Sequence, residues 1–378
     1  MAGTLVDTNI LQVGVAMGMK ALRENCVLSR LVNRDYEQEV RGAKVGEVVK
    51  VSIPAAVTTR SITSDVVPPA VTAVTPTSVS ITLDQWKEAP FAMEDKAIAQ
   101  LQRGIIPDQL TEAAKSIANT IDQYLHGRIN ATGGVYNYTG TAGTTPFAND
   151  LSDFNNARKL MNDTLAPPDD RFVILDTAAE TNALGLRAVQ DASMRGGAGS
   201  LSKGEIGMLG GARWFMSQNV QSHTTTGAAT ITVNDAGVEV GDTTMIWDGG
   251  GTAMAVGDVF TVAGDTQTYV VESSTATVVT MYPAAKVAWA DSAVVTIKAS
   301  HVNNLLIHRD CVAFAMAPLM DTAMTRTRRE NTAVIVDEES GLSLRLEISD
   351  QYKQTQWAVD ALYGGAVVRK EFATRIAG

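Results

Sequence analysis

One stretch limits the folds open to this chain more than any other: Pro107 to Ile129, PDQLTEAAKSIANTIDQYLHGRI. Ile106, Leu110, Ala113, Ala114, Ile117, Ala118, Ile121, Leu125 and Ile129 recur in steps of three and four, which sets them along one stripe of a helix. Thr111, Glu112, Lys115, Asn119, Asp122 and His126 fall mainly on the polar side, and His126 is read there as solvated. Pro107 suits a first helical position, whose N–H has no partner within the helix. At 1.5 Å per residue such a helix is about 35 Å long, enough to cross a whole domain. A long helix with a hairpin thrown out ahead of it suits a building block better than an enzyme.

The 378 residues allow a sizeable core and two or three domains. A net charge of −10 argues against strong nucleic-acid binding, although it leaves room for a local basic patch. Cys26 and Cys311, the two cysteines, are read as reduced thiols of a protein made in a cytoplasm. The apolar run Ile10 to Met19 is too short to span a bilayer, and Asp7 stands where a signal peptide carries positive charge. The expectation is neither secretion nor membrane insertion.

Taken in order, Thr8 to Val32 reads as an extended arm with a helical portion. Gly46 to Ile53 and Ser78 to Lys87 alternate as strands, and the polar, proline-interrupted segment between them is the tip of a hairpin. An isolated hairpin is marginal in water, so this one must lie on its own domain or on a neighbouring subunit. After the long helix, Ala131 to Thr145 reads as a loop. Asp150 to Leu165 reads as a helix capped by Asp150 or Ser152, Arg171 to Leu175 as a buried strand, and Thr177 to Ala188 as a helix. Gln190 to Lys203 is a Gly- and Ser-rich loop, and Ile206 to Val220 returns to strand.

From Thr224 to Ile297 charged residues thin out and short Thr- and Val-rich strands recur between turns, the pattern of a small all-β barrel or sandwich inserted into the chain. Asn303 to Ile307 and Val312 to Ala317 are expected to form a hairpin around His308-Arg309-Asp310. Ser343 to Ser349 and Trp357 to Leu362 are strands, and Val367 to Ile376 closes the chain.

Screening for chemistry yields little. No P-loop, G-x-S-x-G, H-E-x-x-H or C-x-x-C occurs in the sequence. His301 and His308 flank one strand at a spacing that sends them to opposite faces, which disfavours shared metal ligation. Glu94-Asp95, Asp169-Asp170 and Glu338-Glu339 are adjacent pairs whose side chains diverge, and they are read as surface charge. Arg326, Arg328 and Arg329 form the single basic run, open to three readings: a nucleic-acid contact, a subunit interface or a solvated loop. No cofactor, metal or catalytic set is indicated.

Several stretches taken in order carry a resemblance. They are SVSITLDQWKEAPFAMEDKAIAQ, PDQLTEAAKSIANTIDQYL with its Ile121-Asp122 pair, GEIGMLGGARWFMSQNV, VGDVFTVAGDTQTYVV (Val256 to Val271), NNLLIHRDCVAFAMAPL and LYGGAVVRKEFATRI. Together they resemble the major capsid (coat) proteins of tailed double-stranded-DNA bacteriophages, which share the Hong Kong ninety-seven fold, and within them those with an inserted β domain. Arg369-Lys370-Glu371 stands where that family often has Arg-Pro-Glu, so the rigidity of that turn does not carry over.

The resemblance implies an α+β capsid fold. Its parts would be an N-terminal arm (residues 1–44), an extended hairpin loop (45–88), and a peripheral domain (89–148) with its spine helix at 107–129. An axial domain (149–223 and 300–341) would be interrupted by the β insertion (224–299), and C-terminal strands (342–378) would return to the peripheral domain. It also implies a non-enzymatic protein whose hexamers and pentamers close an icosahedral shell around the genome.

The expected partners are copies of the chain itself, a separate scaffolding protein, a portal protein, a decoration protein, and packaged DNA held without sequence-specific binding; no membrane is involved. Arg60, Asp65, Trp86, Lys87, Glu88, Arg195, Lys203, Arg326, Arg328 and Arg329 are the candidate subunit contacts. A tail or decoration protein and a cellular nanocompartment shell protein are the alternatives.

Overall fold

A computed structural model describes residues 27–35, 48–54, 57, 59, 61, 75–96, 105–132, 134–190, 206–226, 231–234, 237–248, 254–319, 332–336 and 342–378. In chain order the first elements are α1 (Leu28–Leu31), β1 (Val48–Ile53), β2 (Thr77–Thr82), β3 (Gln85–Glu94), the long helix α2 (Ile105–Gly127) and β4 (Tyr138–Gly140). Next come α3 (Ser152–Asp163), β5 (Arg171–Leu175), α4 (Thr177–Gly185), α5 (Arg187–Gln190), β6 (Met208–Leu209), β7 (Ala212–Met216) and β8 (Ser222–His223). β9 (Ile231–Val233), β10 (Thr244–Asp248), β11 (Val259–Val262), β12 (Tyr269–Ser274), β13 (Val278–Tyr282) and β14 (Val294–Ile297) follow. The chain ends with β15 (His301–His308), β16 (Val312–Ala317), β17 (Thr332–Val336), β18 (Ser343–Gln351), β19 (Gln354–Val367) and β20 (Ala373–Ala377).

The long helix organises the body. Leu110, Ala113, Ala114, Ile117, Ala118, Ile121, Leu125 and Ile129 are all buried, in one cluster with residues of two different sheets. One sheet runs β4-β20-β15-β5-β7-β6, with β8 also paired to β15; the other runs β16-β19-β18-β17, with β3 paired to β19. Helix α2 begins at Ile105, two residues before Pro107. The proline still lies in the first turn, where its missing N–H has no partner to lose. A single π turn, Arg128–Thr132, ends the helix.

The polar side assigned to this helix needs correction. Asp122 and His126 are fully buried. Asp122 is covered by the segment that carries α1: its carboxylate accepts the Val27 N–H at 2.9 Å, and the amides of Leu28 and Ser29 lie close by. A stripe read from α2 alone does not show this, because the cover comes from residues 95 positions away.

The first sheet is covered on both faces. Phe172, Ile174, Leu305 and Ile307 face the long helix, while Val173, Leu175 and Leu306 pack with Phe154, Ala157 and Met161 of α3 and Ala179 and Ala183 of α4. This double burial is why β5 (RFVIL) is apolar without alternation. Asp150 accepts the Ser152 N–H at the start of α3, and Asp176 caps α4 through the amides of Ala178 and Ala179.

Four strand expectations change. Ser78 to Lys87 is divided into β2 and β3 around Leu83 and Asp84. Ile206 to Val220 folds back as the β6–β7 pair at Gly210-Gly211. Gly210 has φ +61°, and a Cβ there would lie 2.4 Å from the Phe154 ring. β15 and β16 do not form a hairpin: the turn Arg309–Cys311 carries the chain from one sheet to the other. The last strand, β20, lies between β4 and β15 and is not in the sheet of β19. Its Ala373 and Ile376 fill the two opposite faces of that sheet.

The Thr- and Val-rich region forms a closed six-stranded barrel, in the order β10-β13-β12-β11-β14-β9. Trp247, Phe260, Tyr269, Val271, Met281 and Trp289 fill its interior.

Burial holds the Asp122 carboxyl well above its ordinary 3.8, at about 6, and holds His126 down at about 4. The folded chain therefore binds a proton at Asp122 more tightly than the unfolded chain does. From this group stability rises as pH falls from about 7 to about 4, by up to about 3 kcal/mol. His126 contributes in the opposite direction over about pH 6.5 to 4. The expected outcome is that Asp122→Asn gains most over the wild type near pH 8 and loses that advantage by pH 5. Thermal melts across this range check it; a difference that does not change with pH would reject a buried, ionised Asp122.

Candidate assembly surface

β1 and β2 pair antiparallel from Val48↔Thr82 to Ile53↔Thr77, as the two alternating stretches predict. In its described strands the hairpin packs on its own body through one apolar face. Val51, Ile81 and Leu83 are buried against Ala313, Ala315, Ala317 and Leu362, on the face of the second sheet opposite the long helix. Val48, on the opposite face of the ribbon, is 46 % exposed, and Val57, beyond β1, is 75 % exposed. The base crosses β19 very closely, since a Cβ on Gly364 would lie 2.1 Å from the Thr82 carbonyl oxygen.

Immediately after the hairpin, β3 lies along β19 from Gln85↔Tyr363 to Glu94↔Gln354. Ala89, Phe91 and Met93 turn toward the long helix, and Phe91 stacks on Trp357 at 5.3 Å. Trp86, Lys87 and Glu88 are exposed. Among the described residues no other strand pairs with β3. Pro90 sits at mid-strand opposite Ala358. Lacking an N–H, it fits this ladder where the amide would point away from β19, and it there discourages addition of a further strand.

Trp86 is 54 % exposed yet fixed in orientation. Its indole Nε1–H donates to Asp360 Oδ2 at 3.0 Å. Asp360 in turn accepts from Arg345 Nε at 3.0 Å and from the Arg345 terminal nitrogen, a two-pronged buried pair. Asp360 and Arg345 stand directly opposite each other in the β18–β19 ladder. Reading the sequence missed both. The available signal was charge inside otherwise apolar strands, Arg345 and Glu347 in LSLRLEI and Asp360 in WAVDAL.

Of the other candidate contacts, Arg60, Asp65, Arg195, Lys203, Arg326, Arg328 and Arg329 lie outside the described residues. The structure therefore brings together Trp86, Lys87 and Glu88 alone. Among the described residues no group of three His, Cys, Asp or Glu side chains is placed to hold a metal ion. His301 and His308 do point to opposite faces, toward Tyr138 and Phe372 respectively. Cys311 is fully buried, and burial pushes its thiol pKa up, which suppresses the reactive thiolate. No described helix is long and apolar enough to cross a membrane.

Two solved structures share this architecture over nearly the whole chain. One is from Mycobacterium phage Che8, with a TM-score of 0.51 and 17 % identity, covering 93 % of this chain and 91 % of that one. The other is the capsid structure of the cyanophage P-SCSP1u, with a TM-score of 0.54 and 14 % identity, covering 93 % of this chain and 88 % of that one. The fold is thus one found in phage capsid subunits, an α+β arrangement of mixed helices and sheets. No protein-family model matches the sequence, and no curated protein matches it.

Two substitutions test the geometry of this face. Arg345→Met leaves Asp360 buried without its counter-charge and is expected to destabilise by about 3–5 kcal/mol; adding Asp360→Leu is expected to recover most of that. Denaturant midpoints compare the two, and a double variant no better than the single one refutes the pairing. Gly364→Ala is expected to lift the hairpin base, opening residues 48–54 and 75–82 to protease. Gly365→Ala meets the flexible Leu125 side chain at 3.3 Å and is expected to be far milder.

Proposed function

We propose that this chain is the major capsid subunit of a tailed bacteriophage, assembling as hexamers and pentamers into an icosahedral shell around double-stranded DNA. The observation that carries this reading is the hairpin: a separate two-stranded sheet that packs by one face on a fold found in phage capsids. An isolated hairpin is marginal in water, and the neighbouring copy of the chain supplies the missing cover. Trp86 fits such a contact because its ring is exposed while its single polar group is already satisfied, which leaves little entropy to lose on docking.

The division into arm, hairpin loop, peripheral and axial domains, with the barrel inserted into the axial part, belongs to the same proposal. So do a separate scaffolding protein, a portal protein and a decoration protein as partners, and a virion location after synthesis in the host cytoplasm. The net charge of −10 suits an inner wall that repels packaged DNA. Shell building needs no catalytic group, so the reading is of a structural protein and not an enzyme.

The test is electron microscopy of the large fraction after expression of the chain, alone and with a scaffold encoded beside it. Closed particles are expected. A second arm deletes residues 58–76, the hairpin tip, which is expected to leave a folded monomer that closes no shells. Normal shells from that deletion overturn the assignment of the hairpin.

A further inference from the structure

The barrel is not hung from the body by its two connecting strands alone. β8, which leads into it, and β15, which leaves it, pair with each other, His223 opposite His301. Asp258 of the barrel is fully buried. One of its carboxylate oxygens lies 2.8 Å from His223 Nε2. The other accepts the Ala255 N–H at 2.8 Å and the Thr226 hydroxyl at 3.3 Å. The same place receives a residue from the other end of the chain. Arg375, at the centre of β20, is fully buried; it donates from Nη1 to the Gly257 carbonyl of the barrel at 2.9 Å and from Nη2 to the Asn130 carbonyl at 2.7 Å.

A buried guanidinium is tolerated only while charge and acceptors surround it. Of the two carbonyls that accept from Arg375, Gly257's belongs to the barrel and is followed directly by Asp258, whose carboxylate is held by Ala255, Thr226 and His223. With the barrel displaced, Arg375 keeps the Asn130 carbonyl but loses the Gly257 carbonyl. The least costly relief is then for β20 to leave the sheet and release Arg375 to water. β20 is the strand between β4 and β15, so its departure opens the first sheet. A second set of contacts ties the same two parts: Lys370 pairs with Glu272, and the Tyr282 hydroxyl lies 3.4 Å from Glu371.

We propose that Asp258 and Arg375 form a latch that makes the seating of the barrel and the insertion of the C-terminal strand a single cooperative event. Both are positioning residues. A ligand or partner that pulls the barrel from its seat is thereby felt at β20, and disturbance of β20 is felt at the barrel, with the same coupling in both directions.

Hydrogen exchange on the full chain tests the latch. Asp258→Asn, a change within the barrel, is expected to speed exchange about tenfold at the β20 and β4 amides while β5 stays protected. Acceleration confined to residues 223–226 and 254–262 overturns the proposal. Should Asp258→Asn fail to fold, Thr226→Val removes one contact of the same carboxylate, and a smaller change at the same amides is expected. Arg375→Met supplies the reciprocal reading at β11 and β12. Effects of Asp258→Asn and Arg375→Met that simply add in the double variant also overturn the proposal, because members of one latch must be non-additive.

Discussion

Two sheets of different composition share one helix, and the rest of the architecture follows from that shared burial. Leu110 through Ile129 present a single apolar stripe, and residues of both sheets complete the same core around it. The chain passes from one sheet to the other at Arg309–Cys311, with the buried Cys311 at the crossing. Without the helix neither sheet has a cover for that face, since α3 and α4 lie on the opposite side of the first sheet. The helix thus acts as a common wall, and the hairpin, barrel and arm are attached to what it holds in place.

The N-terminal segment illustrates how attachment works. Leu28 and Val32 enter the helix core, while the Asp122 carboxylate accepts the Val27 N–H. Asn33 then bridges to Ala313, and its side-chain amide donates to Asp310 at 2.7 Å. A short stretch of chain is fastened by apolar contact, a buried carboxylate and backbone pairing together. None of these is strong alone, and their proximity makes them act as one.

Much of this was legible in the sequence because it is written in local periodicity. The helix stripe from Leu110 to Ile129, the alternating hairpin strands, the continuous apolar run of β5 and the composition of the barrel depend on neighbours within a few residues. Reading failed where the deciding neighbour is remote. His126 and Asp122 look solvated, yet both are buried, Asp122 beneath a segment far along the chain. β15 and β16 look like a hairpin because the turn between them is short, and nothing local shows that they serve different sheets. The Trp86, Asp360 and Arg345 set spans 274 positions from indole to carboxylate, so only the charges inside apolar strands marked it. Trp86, Lys87 and Glu88 were read as candidate contacts; the buried pair that fixes the tryptophan was not legible.

The direct continuation of the hairpin into β3 has a mechanical consequence. Only Leu83 and Asp84 separate the two, and β3 then runs beside β19 for ten residues in an unbroken antiparallel register. Tension applied to the hairpin is therefore delivered along the strand axis. It loads the rungs of that ladder together, in shear, instead of peeling them apart one after another. On its other edge β19 is gripped by β18 along one half and β16 along the other. A pull on the arm is thus spread into a sheet anchored at both ends. This gives a two-stranded hairpin the strength of a rivet set along the grain.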